Sequence, residues 1–239
     1  MQGGTDQESD GSALRRDRRS SGFTLIEAAI VIAIIGIVTA TSMPNVTRYM
    51  ESTRARAAAK SIADAFNVAR AQAIRTGSNH VVFFSVGGAG DTAGNTLQRR
   101  DGTAVPILVL NDGSPGSANQ NCEIDAGEEM ITFAAQDGVG WGFNAPPATQ
   151  EAPDDLLTAI PASGSSFRAP NGTTAVTWVQ FRPDGVPVAI DNACTAGRLG
   201  TGGGTIYLWS PNRDFAITLS PLGGVRVHTW IAATGAWTT

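Results

Sequence analysis

This sequence contains few of the residues on which catalytic and nucleic-acid-binding sites usually depend. It has two histidines and two cysteines among 239 residues, and only 16% of its residues are charged. His80 and His228 both fall inside strand-like patterns, and no Gly-x-Ser-x-Gly elbow, Cys/His metal spacing or phosphate loop is present. The formal net charge of -4 excludes a strong positive field over the whole molecule. We therefore predict a chain that is not an enzyme, needs no cofactor and does not depend on nucleic acid as a partner.

The two cysteines are Cys122 and Cys194. If this part of the chain lies outside the cytoplasm, a disulfide between them is the only intramolecular pairing available. Two ordinary thiols are the alternative, because nothing in the local sequence forces the geometry of a bridge.

A basic run followed by a long apolar run stands near the N-terminus. The sequence RRDRR supplies four arginines at 15–19, and no charged residue occurs from Ala28 to Met43. Together with the preceding Phe-Thr-Leu-Ile, the apolar run reaches about 20 residues, which is enough for a helix to span a bilayer. Because positive charge is retained in the cytoplasm, the pattern predicts one span with its N-terminus inside and everything after Pro44 outside.

Glu27 lies within this apolar run, where an unpaired carboxylate costs several kcal/mol. An ordinary secretory signal is cut after its apolar core, whereas the small residues Ser20-Ser21-Gly22 come before the core in this sequence. A cut after Gly22 would leave the span attached and make Glu27 the fifth residue of the mature chain. On spacing alone, Glu27 either reaches back to the cytoplasmic interface or pairs with a positive charge of another subunit.

The motif Gly-Phe-Thr-Leu-Ile-Glu, with basic residues before it and an apolar helix after it, resembles the class III signal of type IV pilins and type II secretion pseudopilins. The resemblance implies cleavage between Gly22 and Phe23 by a prepilin peptidase and N-methylation of Phe23. It also implies that Glu27 pairs with the amino terminus of a neighbouring subunit. Pro44 matches a proline often found midway along the long helix of this family, where it loosens the backbone.

The same resemblance implies an organisation for the whole chain. Residues 1–22 would be a leader peptide that is removed, 23–43 a transmembrane and filament-core helix, and 78–239 a periplasmic head. The protein would be a single-pass inner-membrane protein that later enters a pilus or pseudopilus. Its partners would be the membrane, other pilins contacted through the helix, the prepilin peptidase and the inner-membrane assembly platform.

Beyond Pro44 the helical pattern resumes and continues over 44–77. Ile62, Phe66, Ala69 and Ala73 recur on one side, and most of the basic residues fall on other faces, which we interpret as solvated. Gly77 is suited to end the helix. The sequence thus predicts one helix over about 24–76, whose second half packs on the head.

The remainder of the chain has strand patterns separated by turn residues, with no second long helical pattern. We therefore predict an α+β fold, in which a long N-terminal helix packs on a mostly antiparallel β-sheet head. Asp184-Gly185, Pro211-Asn212 and Gly223-Gly224 mark short turns. An inserted loop is expected at about 135–173. The predicted strands are 80–86, 105–112, 128–134, 174–185, 186–190, 204–210, 215–220 and 225–230.

Three of these segments resemble a particular branch of minor pilins. The segments that are similar to strands, turns and a loop of the GspH/FimT branch are VQFRPDGVP, the closing GTIYLWS…FAITLSPLGGVRV and ILVLNDGSPGSANQNCEIDAGEEMI. This resemblance implies a minor pilin or pseudopilin of a type II secretion system or a type IV pilus. It also suggests an alternative, a FimT-like subunit that binds DNA for uptake. Two further alternatives are a head that captures an exported protein and an inert single-span anchor with an unrelated β domain.

Two segments of the chain are rich in acidic residues. The loop 111–129 is rich in oxygen ligands suited to calcium, but its spacing does not fit an EF-hand, so we predict a solvated turn and no bound metal. We expect Asp154-Asp155 to lie in a flexible linker. For DNA, the family pattern has two arginines near the C-terminus and this chain has one, Arg226; Arg213 and His228 are the other candidates for contact.

Overall fold

The computed structural model describes residues 22–238. The described chain divides into two units, 22–45 and 46–238, and the boundary between them lies one residue beyond Pro44. The predicted leader at 1–22 therefore lies outside the described residues, except for Gly22.

One long helix, α1, runs from Leu25 to Thr76. It ends at Gly77, which has a φ of +66° and donates its N–H to the carbonyl of Ala73. Glycine adopts this left-handed conformation without the steric cost of a side chain, which explains why the helix stops there. The predicted bounds and the predicted helix end are both confirmed.

The second half of α1 packs on the head through one stripe. Alanines dominate this stripe, and their small side chains allow the helix to lie close to the sheets. The centre of the Phe66 ring lies 5.4 Å from that of Phe84, 6.0 Å from that of Phe167 and 6.4 Å from that of Phe181. Phe66 is fully buried, so it anchors the helix in the centre of the core. The buried residues of the stripe are Ala55, Ala59, Ile62, Ala65, Phe66, Ala69 and Ala73.

The head contains two five-stranded sheets in which all pairs are antiparallel. The first has the order β3-β2-β1-β5-β6 and the second the order β10-β9-β8-β7-β4. Both contribute to one core with α1. The strands are β1 His80–Phe84, β2 Ile107–Asn111, β3 Met130–Phe133, β4 Gly140–Trp141, β5 Trp178–Phe181, β6 Pro187–Val188, β7 Gly204–Ser210, β8 Arg213–Leu219, β9 Val225–Ile231 and β10 Ala236–Thr238.

The α+β fold class is confirmed, and the three predicted turns join neighbouring strands. Two short strands, β4 and β10, were not predicted, because segments of two and three residues have no measurable alternation. The predicted strand 174–185 was too long. The strand itself covers only 178–181. It ends there because the chain turns, and the N–H of Arg182 donates to the carbonyl of Val186 across that turn.

Part of the expected inserted loop lies against the second sheet. We call residues 143–156 the strap, and we call the sheet face that carries Tyr207 and Ala216 the outer face. Ala152 of the strap is buried with these two residues, and the ring of Trp237 lies 6.0 Å from that of Tyr207. The outer face is therefore covered by the chain itself, while the opposite face of the sheet contributes Ile206, Phe215 and Ile217 to the main core.

The expectation of a flexible linker at Asp154-Asp155 was wrong. Asp154 accepts a hydrogen bond from Arg226 at 2.6 Å, and Asp155 accepts one from the Tyr207 hydroxyl at 2.5 Å and another from the Ser166 hydroxyl at 2.8 Å. Adjacent carboxylates in this segment thus bind two different strands of the same sheet, which holds the strap in place.

Candidate functional site

The start of α1 is built by the residues of the apparent processing motif. Thr24 is in the position of an N-cap: its hydroxyl oxygen accepts the N–H of Glu27 at 3.2 Å, and its carbonyl accepts the N–H of Ala28 at 3.1 Å. Thr-Leu-Ile-Glu also has the spacing of a capping box. Sequence analysis missed this local function of the motif, although the Thr-x-x-Glu pattern is visible before an apolar run.

Glu27 occupies the first turn of α1 and is exposed. A negative charge at this end of a helix interacts favourably with the partial positive charge of the helix N-terminus. Among the described residues, no salt bridge involves Glu27. The carboxylate is therefore placed where a cation from another molecule can reach it.

The first half of α1 is apolar and has no buried residue. Its 18 residues from 25 to 42 extend about 27 Å at 1.5 Å per residue, close to the thickness of a bilayer core. Within residues 22–238, α1 is the one helix long and apolar enough to cross a membrane. The large exposed side chains include Leu25, Ile26, Ile30, Val31, Ile32, Ile34, Ile35, Ile37 and Val38.

The two threonines within the apolar segment are hydrogen-bonded to the helix itself. The Thr39 hydroxyl donates to the carbonyl of Ile35 at 2.7 Å, and the Thr41 hydroxyl donates to that of Ile37 at 3.1 Å. Because a hydroxyl in hydrocarbon must find its partner within the protein, these bonds suit the segment to an apolar surrounding.

Pro44 lies inside α1. It has no N–H, so the hydrogen bond that would normally reach the carbonyl of Ala40 is absent. The helix nevertheless continues to Thr76. The local loosening that the family resemblance implies at Pro44 stays a prediction.

The structure joins Cys122 and Cys194 in a disulfide, with their Cα atoms 5.4 Å apart. The bridge connects the loop after β2 to the loop after β6. Beside it, the buried carboxylate of Asp112 accepts the N–H of Cys122 at 2.7 Å. Burial raises the pKa of Asp112 to about 6, and the hydrogen bond from Cys122 lowers it to a smaller extent. Asp112 thus helps to order the loop rather than facing a ligand.

The loop 111–129 is more ordered than the predicted solvated turn. The Asn121 side chain donates to Asp125 at 2.8 Å, and a Glu128 carboxylate oxygen accepts the N–H of Asp125 at 3.0 Å. Within the described part of the chain, the one cluster of potential metal ligands is Asp112 with the two cysteines. Disulfide sulfurs are not thiolates and do not ligate metal as thiolates do. The absence of a bound metal stays a prediction.

The candidate DNA contacts do not form one patch. The guanidinium of Arg226 is bound to Asp154, which compensates its charge. Arg226 lies opposite Thr218 in β8, five positions from Arg213, so about 17 Å of strand separates the two arginines. His228 is buried and offers no surface to a phosphate. His228 is therefore removed from the candidates for DNA contact, in agreement with the prediction of a structural strand at this position.

Comparison with known families identifies one match. The model of the prokaryotic N-terminal methylation motif matches residues 17–43, which include Gly22, Phe23 and Glu27 and most of the apolar half of α1. No curated protein and no solved structure matches the chain. The matched motif, together with the long exposed apolar helix, supports a membrane-anchored pilin or pseudopilin subunit.

Proposed function

We propose that this chain is a non-enzymatic structural subunit, a minor pilin or pseudopilin of the GspH/FimT type. It is inserted in the bacterial inner membrane with its head in the periplasm. A prepilin peptidase cuts it between Gly22 and Phe23 and methylates Phe23. The mature chain then assembles with other pilins into a type II secretion pseudopilus or a type IV pilus.

The observation that carries this proposal is the position of the methylation motif on the exposed start of α1. The motif residues cap a helix whose first 18 residues, 25–42, are all exposed. Such a surface needs lipid or other apolar helices around it. Lipid covers this apolar surface while the subunit is in the membrane, and neighbouring helices cover it once the subunit is in the filament.

Glu27 has a definite part in this account. After a cut at Gly22, the new amino terminus of a neighbour is a positive charge that is equally costly in an apolar surrounding. Pairing the two charges removes both costs and fixes the axial step between subunits. The matched pair of variants is Glu27→Gln and Glu27→Ala, because glutamine keeps the capping-box geometry and loses only the charge.

The processing step is tested with the full chain in cells that contain a prepilin peptidase. The wild-type chain should lose residues 1–22 and carry one methyl group on Phe23, as measured by mass spectrometry of the N-terminus. Gly22→Val should remain full-length. Gly36→Ala is the matched control, since a side chain at Gly36 meets no atom within 4 Å, and it should be processed normally. Processing of Gly22→Val at the wild-type rate would contradict the proposal.

Assembly is tested by comparing incorporation into sheared or cross-linked filaments. Both Glu27→Gln and Glu27→Ala should insert in the membrane and be processed, and both should be depleted from filaments. If Glu27→Gln assembles normally while Glu27→Ala does not, then Glu27 acts by capping α1 and the pairing argument fails.

A FimT-like DNA-binding subunit is the alternative, and no observation specifically favours it. The pairing of Arg226 with Asp154 and the separation of Arg213 predict weak binding that salt abolishes. Retardation of duplex DNA by the purified chain, reversed by Arg213→Gln with Arg226→Gln, would revive this alternative. Scoring secretion, twitching and transformation after gene deletion would identify the machine that uses the subunit.

A further inference from the structure

His228 is an unusual residue in this head. Its side chain is 1% exposed, and within the described chain neither ring nitrogen has a hydrogen-bond partner. A buried imidazole without a partner is costly, because one nitrogen must keep a proton and the other a lone pair. Buried polar groups are nearly always satisfied, so this exception calls for a physical explanation.

The position of His228 in the sheet places it beneath the strap. It lies opposite Ala216 in β8, and Ala216 lies opposite Tyr207 in β7, so the three residues form a row across the outer face. On either side of this row, the strap is bonded to the sheet: Asp154 binds Arg226, and the carbonyl of Gln150 accepts the indole N–H of Trp237 at 2.8 Å. His228 is thus enclosed between the sheet and the segment that covers it.

The strap is held mainly by polar bonds. The carboxylate of Asp214 accepts the N–H groups of Asn144 at 2.7 Å and Ala145 at 3.1 Å. The Tyr207 hydroxyl accepts the N–H of Ala152 at 3.1 Å and donates to Asp155. Within the strap, Ala152 is buried in the small apolar cluster on this face, Phe143 packs partly against that cluster, and Pro146 is the one other buried residue. A segment with few buried apolar contacts can open without unfolding the main core.

We propose that the strap is a pH-sensitive clasp: protonation of His228 loosens it from the outer face and exposes the aromatic residues Tyr207, Trp230 and Trp237. In the closed form, no described residue accepts a hydrogen bond from either N–H of an imidazolium. The Asp154 carboxylate attracts the added charge, but it is already bound to Arg226, which repels that charge from two residues away on the same strand. Opening of the strap lets water solvate the imidazolium.

The charged and titratable groups around His228 come from three elements. Asp154 from the strap and Arg226 from β9 act on it electrostatically. From β7, the Tyr207 hydroxyl is bound to Asp155, and Glu151 of the strap acts on the same tyrosine. The directly opposite residue in β8 is the uncharged Ala216.

The direction of the effect follows from the balance of these groups. Burial lowers the pKa of His228, Asp154 raises it to a smaller extent and Arg226 lowers it. The ordinary pKa is about 6.5, so the open form binds a proton more readily than the closed form. The contribution of His228 to closure is therefore complete above about pH 6.5 and is lost as the pH falls below that value. Asp214 acts in the opposite direction, because burial raises its pKa.

Hydrogen exchange on the full chain in detergent micelles tests the clasp. After correction for the intrinsic rate, the strap amides of Asn144, Ala145 and Ala152 should exchange faster at about pH 5 than at about pH 7. The increase should reach about twenty-five-fold if His228 stays neutral in the closed form. His228→Leu should remove this increase. Equal protection of the wild-type strap at both pH values, or stronger protection in acid, would overturn the proposal.

The other histidine provides the matched control. His80 is also buried, but it lies in β1 of the first sheet and its Nδ1 is 3.3 Å from the carbonyl oxygen of Ser78. His80→Gln should keep the acid-dependent opening of the strap. The same variant leaves one imidazole, so NMR titration should show His228 with a pKa below about 6.5. A His228 pKa above that value would overturn the proposal even if His228→Leu does not fold.

Discussion

The two halves of α1 share one helical geometry and differ in what surrounds them. Apart from Glu27 in the first turn, the helix from Leu25 to Ser42 has no charged residue on any side and none of its residues is buried, whereas after Val46 a single stripe is buried against two sheets. A helix that is apolar all round belongs in lipid or among other helices, while an amphipathic helix belongs on the surface of its own domain. One continuous helix therefore serves both as an anchor and as a core element of the head.

Truncating a large side chain should have very different effects on stability in the two halves of α1. Phe66→Ala should destabilise the head by about 3–5 kcal/mol, because it opens a cavity among three aromatic rings. Ile34→Ala, a similar truncation in the exposed half, should leave head unfolding nearly unchanged. Urea unfolding of the full chain in micelles measures both. A loss for Ile34→Ala as large as that for Phe66→Ala would contradict the division of α1.

The disulfide should matter for the head alone. The bridge spans 72 residues of sequence, and its removal should cost about 2–5 kcal/mol, because the unfolded chain gains freedom. We expect Cys122→Ser with Cys194→Ser to unfold at lower urea concentration and to retain membrane insertion. Loss of membrane insertion in the double variant would contradict the prediction, because it would show that insertion depends on the disulfide of the head.

The glycine within α1 and the glycine that ends it should respond differently to substitution by alanine. Gly77 has a φ of +66°, so Gly77→Ala is strained and should cost about 1–2 kcal/mol. Gly36 has helical geometry with open space around it, so Gly36→Ala should not destabilise the chain. Thermal unfolding followed by circular dichroism separates them, and equal shifts would contradict the assigned end of α1.

The smallest expected effect is the contribution of Asp112 to the pH dependence of the stability of the head. Its pKa is raised to about 6 by burial, so the folded head binds a proton more readily than the unfolded chain does. Asp112 should therefore add about 1 kcal/mol of stability as the pH falls from about 7 to about 5. Asp112→Asn keeps an acceptor oxygen for Cys122 and should remove this gain. Urea unfolding of both chains at the two pH values measures the difference, and an identical pH dependence would contradict it.

Much of this fold was predictable because its signals are local. The stripe of Ile62, Phe66, Ala69 and Ala73 predicted the second half of α1, and Gly77 predicted its end. Asp184-Gly185 also predicted a turn from local sequence, because glycine readily adopts the positive φ that such turns require, and Gly185 has a φ of +76°. The processing motif likewise lies within a few consecutive residues, which is why it could be found from the sequence.

What was missed depends on contacts between distant residues. Asp154 binds Arg226 across 72 positions of sequence, and Asp155 binds Tyr207 across 52. Neither carboxylate has a local pattern that distinguishes it from a residue in a flexible loop. The burial of His228 depends on the strap and so could not be read from β9 alone. The division of the strands into two sheets depends on long-range pairing in the same way.

The most direct test of the central claim is photo-cross-linking from the exposed half of α1 in living cells. A photoreactive residue in place of Ile34 should yield an adduct with another pilin-like subunit, identified by mass spectrometry, when the assembly machine is present. The same residue in place of Lys60, on an exposed face of the second half, is the control for general crowding. Adducts from position 34 with lipid alone, under conditions of active assembly, would show an inert anchor and contradict the account.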